Sequence, residues 1–424
     1  MDISTIAIII TILVIAAYAT EIIPLSVTAV LSCLVMGIFG ITSFDRCFSG
    51  FGDDILMMVV GMMVVGDALF ATGAAEYIGS RIVRMFGKTE KMFITACVLI
   101  TAFLSTFLSN TATAAMMFPI MAAAIASSRG KLTKKNSYMA VGFASIAGGG
   151  CSLIGSTPQM LAQGILEEGG FETVGFFDYA AAGVPKVLIL LIYFLTIGYS
   201  LGQKVFDFEE PQDVIEQKRE GIDENQKMTP KMLISILILV GCVIGFLAGI
   251  WSLGAVSLTG AVLCVITRCI GVKEMYRNLD WGTVVLVGGS LGFANCLDDS
   301  GAGVVIANFV VDLIGRDMSP WILLSALGLL AVVLGNIMTH TATAAILLPI
   351  TVYIAQDIGI DVKTAVMTLV IFNNVTYCTP IMTPSATLTL AAGYRFKDYV
   401  KVGGLLNVIS YLAVVAMLPV LFNI

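Results

Sequence analysis

Two segments far apart in the chain carry the same run of small polar side chains. Residues 107–120 read FLSNTATAAMMFPI and residues 337–350 read IMTHTATAAILLPI, identical at seven of fourteen positions. In each, a hydroxyl-and-amide triplet, Ser109-Asn110-Thr111 or Thr339-His340-Thr341, precedes an alanine-rich stretch with a proline eight residues on, Pro119 or Pro349. Short polar side chains where a helix begins suit an anion, because the first backbone N–H groups are unpaired and the helix dipole is positive there. Small hydroxyl residues also serve as plain packing contacts between membrane helices. Recurrence at one place in two segments favours a binding site. Two further segments, GGGCSLIGSTPQ (148–159) and TYCTPIMTPSAT (376–387), interrupt apolar sequence with glycines and prolines. Such interruptions free carbonyls from helical hydrogen bonding. Freed carbonyls are hard oxygen ligands of the kind that hold Na+. One proline kink would mean only a bend, but a break paired with a polar turn in each half reads as a two-part site.

The elements that position these groups belong to a membrane. Of 424 residues, 58% are hydrophobic and 12% charged, with a mean hydropathy of +0.96. Soluble domains carry about 25% charged residues. Apolar runs fall near 3–20, 22–40, 54–72, 92–126, 138–165, 180–203, 231–250, 254–270, 281–297, 319–356, 364–392 and 399–422. A span needs about 20 residues, so 92–126 and 319–356 are each long enough for two spans or one hairpin. The first run lacks a basic flank and a cleavage site, and is expected to be a retained span. The nine cysteines are scattered, without a C-x-x-C pair, and read as packing residues.

The halves repeat each other at a spacing near 230 residues. Besides the polar turns, SVTAVLSCLVMGIFG (26–40) faces SLTGAVLCVITRCIG (257–271), and Thr157-Pro158 faces Thr383-Pro384. Cytoplasmic loops accumulate Lys and Arg. With the N-terminus outside and both long runs as hairpins, 19 of the 23 basic residues fall inside, and only Arg46, Lys186, Arg316 and Lys363 remain outside. Basic loops then flank 92–126 on both sides, and acidic ones (Asp312, Asp317, Asp357, Asp361) flank 319–356. Each run is therefore expected to enter and leave on one side, as a re-entrant hairpin. Five spans per half is an odd number, so the second copy inserts upside down. The expectation is an all-α polytopic membrane protein of two inverted repeats, each five transmembrane helices plus one re-entrant hairpin. Its first repeat covers 1–203 (hairpin 92–126, broken helix 138–165), a cytoplasmic linker 204–230, and the second repeat 231–424 (hairpin 319–356, broken helix 364–392). Both termini are expected outside the inner (plasma) membrane. Such repeats place a solute near the midplane, where they meet.

At these residues the chain resembles the divalent anion:sodium symporter family of the ion transporter superfamily, over essentially its whole length. The resemblance rests on SNTATAAMMFPI, GGGCSLIGSTP, TATAAILLPI and the Thr-Pro elements. It implies a homodimer with an elevator mechanism, and Na+-coupled uptake of a small divalent anion, most simply a C4-dicarboxylate. It further implies a first sodium site at Ser105, Ser109, Asn110 and Gly148, Gly149 and Gly150, with Asn336 and Thr379 in the second half. Substrate would be lined by Ser109, Asn110, Thr111, Thr157, Pro158, Thr339, His340, Thr341, Thr383 and Pro384. Segments 74–90 and 301–315 would be the arms joining scaffold and transport parts. The second triplet departs from the family's Ser-Asn-Thr, and the breaks read Thr-Pro-Gln and Thr-Pro-Ser.

His340 is the only histidine. A lone histidine is usually structural, but one at a hairpin tip in place of an amide is a candidate for substrate binding or for proton coupling, with H+ instead of Na+ at the second site. Asp67 interrupts an apolar run and faces Phe293 in the second copy, so a structural hydrogen bond is the expected role, a proton or cation site the alternative. Two neighbouring readings compete, an exchanger or a proton-coupled carrier of di- or tricarboxylates or sulfate-type anions. A cation/proton antiporter would need carboxylates in the breaks, and 148–165 and 376–392 hold none. No continuous polar pore, nucleophile cluster or nucleic-acid patch is visible, so a channel, an enzyme and a nucleic-acid partner are not expected.

Overall fold

The computed structural model describes residues 3–20, 22–86, 89–128, 130–208, 228–249, 251–302, 304–305 and 319–422. Among them the protein is helical, with no strand. Most of the expected linker 204–230 and of the arm 301–315 lies outside the described residues.

In the first half α1 is Ile3–Thr20, α2 Leu25–Ile38, α3 Asp54–Ala71, α4 Ala74–Phe86, α5 Glu90–Ser105, α6 Asn110–Ser127, α7 Lys134–Gly149, α8 Thr157–Glu168, α9 Ala180–Leu195 and α10 Ile197–Val205. In the second half α11 is Pro230–Ala248, α12 Leu253–Ile266, α13 Val272–Asn278, α14 Trp281–Ser300, α15 Pro320–Ile337, α16 His340–Ile358, α17 Val362–Asn373, α18 Pro384–Leu388 and α19 Gly404–Phe422. Both long apolar runs are helix pairs, broken at 106–109 and 338–339. Both expected broken helices are broken, at 150–156 and 374–383. The run 180–203 is not one straight span: α9 and α10 meet at 51° around Thr196. Among the described residues five helices have the length and apolarity to cross a membrane, or six with α9–α10 counted as one span. Further apolar helices, among them α2, α12 and α17, are shorter than 18 residues.

Two long seams are prominent among the contacts that hold the halves together. Helix α3 lies along α12, and α14 lies along α2. Each seam is built on glycine. A Cβ added to Gly61 of α3 would sit 2.4 Å from the backbone of Ser257 in α12, and one on Gly289 of α14 2.8 Å from the Ala29 side chain in α2. Glycine alone lets the backbones approach this closely, the usual basis of helix association in lipid. The two contacts are reciprocal, a first-half helix on a second-half one and the converse. Helices α3 and α14 also end alike, on left-handed Gly73 (φ +77°) and Gly301 (φ +67°). Aligning those two glycines sets Asp67 opposite Asn295, whereas the sequence spacing sets it opposite Phe293.

Loops assigned to one side by their charges do meet. Arg46 reaches Asp299 at 3.6 Å, and Lys363 reaches Glu172 and Asp178 at 2.7 and 3.4 Å. On the other side Glu90 accepts from Thr133 and Asn136. The centre of the molecule is formed by α7 and α17, the first arms of the two broken helices, buried along nearly their whole length. All nine cysteines are free, and all but Cys378 are buried, in keeping with packing roles.

Candidate anion and cation site

The first polar turn is fixed by its own hydroxyls. Ser109 caps α6 by accepting from Ala112 N at 3.3 Å, and Thr106 Oγ1 donates to Gly148 O at 3.2 Å, tying the turn to the end of α7. Ser105 Oγ donates to Ser145 O at 2.8 Å. Gln159 Nε2 donates to Gly149 O at 3.1 Å, closing the break from the far side. At the centre of this cluster sits the Asn110 carboxamide. With its nitrogen turned inward it donates to Ser105 Oγ (2.6 Å), Ser145 O (2.9 Å) and Gly155 O (3.1 Å). With its oxygen turned inward, that oxygen joins a ring of three others, all acceptors once Ser105 rotates its proton away. Four converging oxygens suit a hard monovalent cation. Gly149 is obligatory beside it, since a Cβ there would fall 2.1 Å from Asn110 Oδ1 and 2.8 Å from Gly155 O. The donor set is of the oxygen type that Na+ takes, but its members stand 2.6–3.1 Å apart, at hydrogen-bonding distance, so the turn has to open to admit an ion, with Gly148 and Gly150 at the rim rather than in the ring.

The second turn is built differently. Thr339 caps α16 by accepting from Ala342 N at 3.3 Å. His340 N donates to Met382 O at 3.1 Å, and Asn373 Nδ2 donates to His340 O at 2.8 Å. The imidazole is buried, 3% exposed, with Nε2 hydrogen-bonded to Thr376 Oγ1. Asn336 and Thr379 do come together, but with protein groups. Asn336 Oδ1 accepts from Cys378 N at 2.8 Å, its Nδ2 reaches Asn407 Oδ1 at 3.1 Å, and Thr379 Oγ1 donates to Asn336 O at 2.9 Å. They brace the break.

Turns and breaks converge on one cavity of about 520 Å³. Ser109, Asn110, Thr111, Thr157, Pro158, His340, Thr341, Thr383 and Pro384 all line it, while Thr339 does not. Helices α6, α8 and α16 begin at its wall, so several sets of unpaired N–H groups face one space. Its volume is in the range of small-molecule sites. On the opposite wall stands Asp67 from α3, which the sequence had singled out, with Asn278, Asp280 and Thr283, ahead of and inside α14, which it had not. Asp280 is engaged in capping α14, accepting from Thr283 N at 3.1 Å. Asp67 has no hydrogen-bond partner among the described residues, so the expected structural hydrogen bond is absent. The Asp-containing start of α14 looks in sequence like any helix cap. Only its packing brings it to the cavity.

Lys186 corrects the charge reading. It is not in an outer loop but a third of the way along α9, 1% exposed, with Nζ donating to Ile371 O at 3.3 Å. Its place beside Pro185, near the start of an apolar run, mimics a boundary residue.

The family model described as "Citrate transporter" matches residues 12–371. The chain belongs to the citrate transporter family. This agrees with the resemblance to the divalent anion:sodium symporters. Curated relatives extend the match. An uncharacterized transporter of Haemophilus influenzae is 27% identical over 423 residues, covering 94% of this chain and 88% of that protein. The sodium-dependent dicarboxylate transporter SdcS of Staphylococcus saprophyticus is 24% identical over 433 residues, covering 94% and 82%. Two solved structures share the fold: the YdaH transporter of Alcanivorax borkumensis (TM-score 0.59, 13% identity, 98% of each chain) and MtrF of Neisseria gonorrhoeae (TM-score 0.55, 16% identity, 99% of this chain and 94% of that). This member of the family is therefore a multi-pass membrane transporter.

Proposed function

We infer that the protein is a secondary transporter for small di- or tricarboxylate anions, most simply a C4-dicarboxylate, taken up with Na+. The observation that carries this reading is the single cavity where both polar turns and both breaks meet beside an oxygen ring around Asn110. A dicarboxylate presents one carboxylate to each turn. Na+ in the Asn110 ring adds a positive charge next to it, so ion and anion favour each other's binding. The names of the SdcS relatives support the same assignment.

The halves act as inverted repeats, supported by the reciprocal glycine seams and the shared polar turns. Asn278 and Asp280, which line the cavity, follow directly on the basic segment that carries Arg268, Lys273 and Arg277, so by charge placement that wall lies toward the cytoplasm. Transport moves turns and breaks as a body against the α3–α12 and α14–α2 scaffold, within a homodimer in the inner membrane with both termini outside. The resemblance in sequence supports the dimer and the elevator motion.

One observation favours a second reading. Asp67 lines the cavity with no partner, and a bare carboxylate opposes a dianion unless it is protonated. That is the arrangement a proton-coupled carrier would use. Uptake of labelled succinate, citrate and sulfate into proteoliposomes decides between them: a Na+ gradient alone should drive accumulation, and a response to an imposed pH gradient alone would replace the first reading with the second.

A further inference from the structure

A duplicated polar turn and break would place a cation site in each half, and among the described residues the first half alone offers the oxygen cluster. In the first half the ring uses Ser105, Asn110 and Ser145 O. Carrying the turn spacing over, Gly335 stands where Ser105 does and His340 where Asn110 does, so a hydroxyl is lost and an amide oxygen becomes a ring nitrogen already bonded to Thr376. Carrying the break spacing over, which sets Thr157 on Thr383, Ser145 corresponds to Ile371. The Ile371 carbonyl is free of helical bonding, because Val375 N turns to Phe372 O at 2.8 Å. It accepts instead from Lys186 Nζ.

Lys186 reaches this carbonyl through the middle of the molecule. One turn before it, Gly183 presses on the first break so closely that a Cβ would meet Gly150 O at 2.6 Å and Cys151 Sγ at 2.7 Å. A Cβ on Gly150 would in turn lie 3.2 Å from Lys186 Nζ. The ammonium therefore lies between the carboxyl ends of α7 and α17, where two helix dipoles present negative charge. A buried ammonium is costly without such compensation, and no carboxylate is paired with it among the described residues.

We propose that Lys186 is a built-in cation that replaces a transported Na+ at the second broken helix, so that the protein carries one ion fewer than its two repeats would otherwise bind. A charge on a tether neutralises the helix ends as an ion would, travels with the moving part, and is never released. It also repels a second Na+ from the same carbonyls. The Asn373 Oδ1 and Asn374 amide, at the end of α17, are buried and unpartnered, and would become available to a mobile ion only once the ammonium is gone.

The proposal rests on the Na+ reading of the Asn110 ring, and its test separates the two. Na+ titrations of thermal stability on the purified full-length protein, without substrate, read the number of ions bound from the dependence on Na+ activity. Lys186→Ala should bind one ion more than the wild type, with Li+ or Na+ but not choline as the stabilising salt. Lys186→Arg should keep the wild-type number. An identical ion count in Lys186→Ala and wild type overturns the proposal while leaving the uptake reading standing. Absence of Na+-driven uptake by the wild type overturns that reading instead. Should Lys186→Ala not fold, the wild-type titration still decides, since two bound ions overturn the proposal and fewer support it.

Discussion

Asn110 occupies the one place where a single carboxamide can serve either state of the site. Nitrogen inward, it satisfies Ser105, Ser145 O and Gly155 O; oxygen inward, it would offer a fourth oxygen to the proposed cation site. Asn110→Ala removes both options. Asn110→Asp keeps the oxygens but discards the donor, and should bind Na+ while destabilising the ion-free state. Ser105→Ala deletes one ligand, and a charge-assisted contact is worth about 1.5–3 kcal/mol. The Na+ concentration for half-maximal uptake should therefore rise about tenfold or more; an unchanged value would remove Ser105 from the ring. At the other turn, His340→Asn should leave folding intact and alter substrate preference or the pH profile of uptake. A variant matching the wild type in both respects would reduce His340 to a packing residue.

The breaks are the elements on which the site depends, and glycine makes the first one possible. A methyl group on Gly149 would collide with Asn110 and Gly155 O. Gly149→Ala should accordingly abolish Na+ stabilisation and uptake, while the protein still inserts in the membrane, as fractionation and size-exclusion chromatography would show. Much of this layer was legible in sequence. Polar triplets ahead of alanine runs marked the turns at 106–109 and 338–339, and Gly148-Gly149-Gly150, Pro158, Pro380 and Pro384 marked the breaks, because each residue type has a local backbone consequence. The bend at Thr196 has no proline to announce it. Lys186 was misplaced because hydropathy along a chain cannot tell a charge at a helix boundary from one packed against two other helices. Asp67 and Asp280 face the cavity only through the meeting of α3 with the start of α14, which no local pattern encodes.

For the molecule as a whole, the proposed transport requires that the one cavity reached by turns from both halves be entered from each face in turn. Cysteines introduced at Thr157 and Thr383, in a background without the native ones, should be modified by a membrane-impermeant thiol reagent, and Na+ with succinate together should slow the reaction. Equal modification with and without both ligands would argue against a shared pocket. The seams bear on stability in a different way. Gly61→Leu or Gly289→Leu would wedge apart backbones already in contact, and overpacking of this kind costs about 1–3 kcal/mol. Both variants should melt at lower temperature than the wild type, read by the loss of the monodisperse peak on heating, and similar melting would show that the seams tolerate separation.

The same seams set a timetable for biogenesis. Helix α2, ending at Ile38, packs on α1 as soon as both are made, but the face that carries Ala29 waits for α14, which begins at Trp281. Ribosomes add about 5–20 residues per second, so the early helix waits on the order of ten seconds or more in the bilayer with Ala29 and its small neighbours uncovered. A chain truncated before Trp281 should thus be degraded rather than accumulate as a stable half, and supplying the missing half in trans should rescue it.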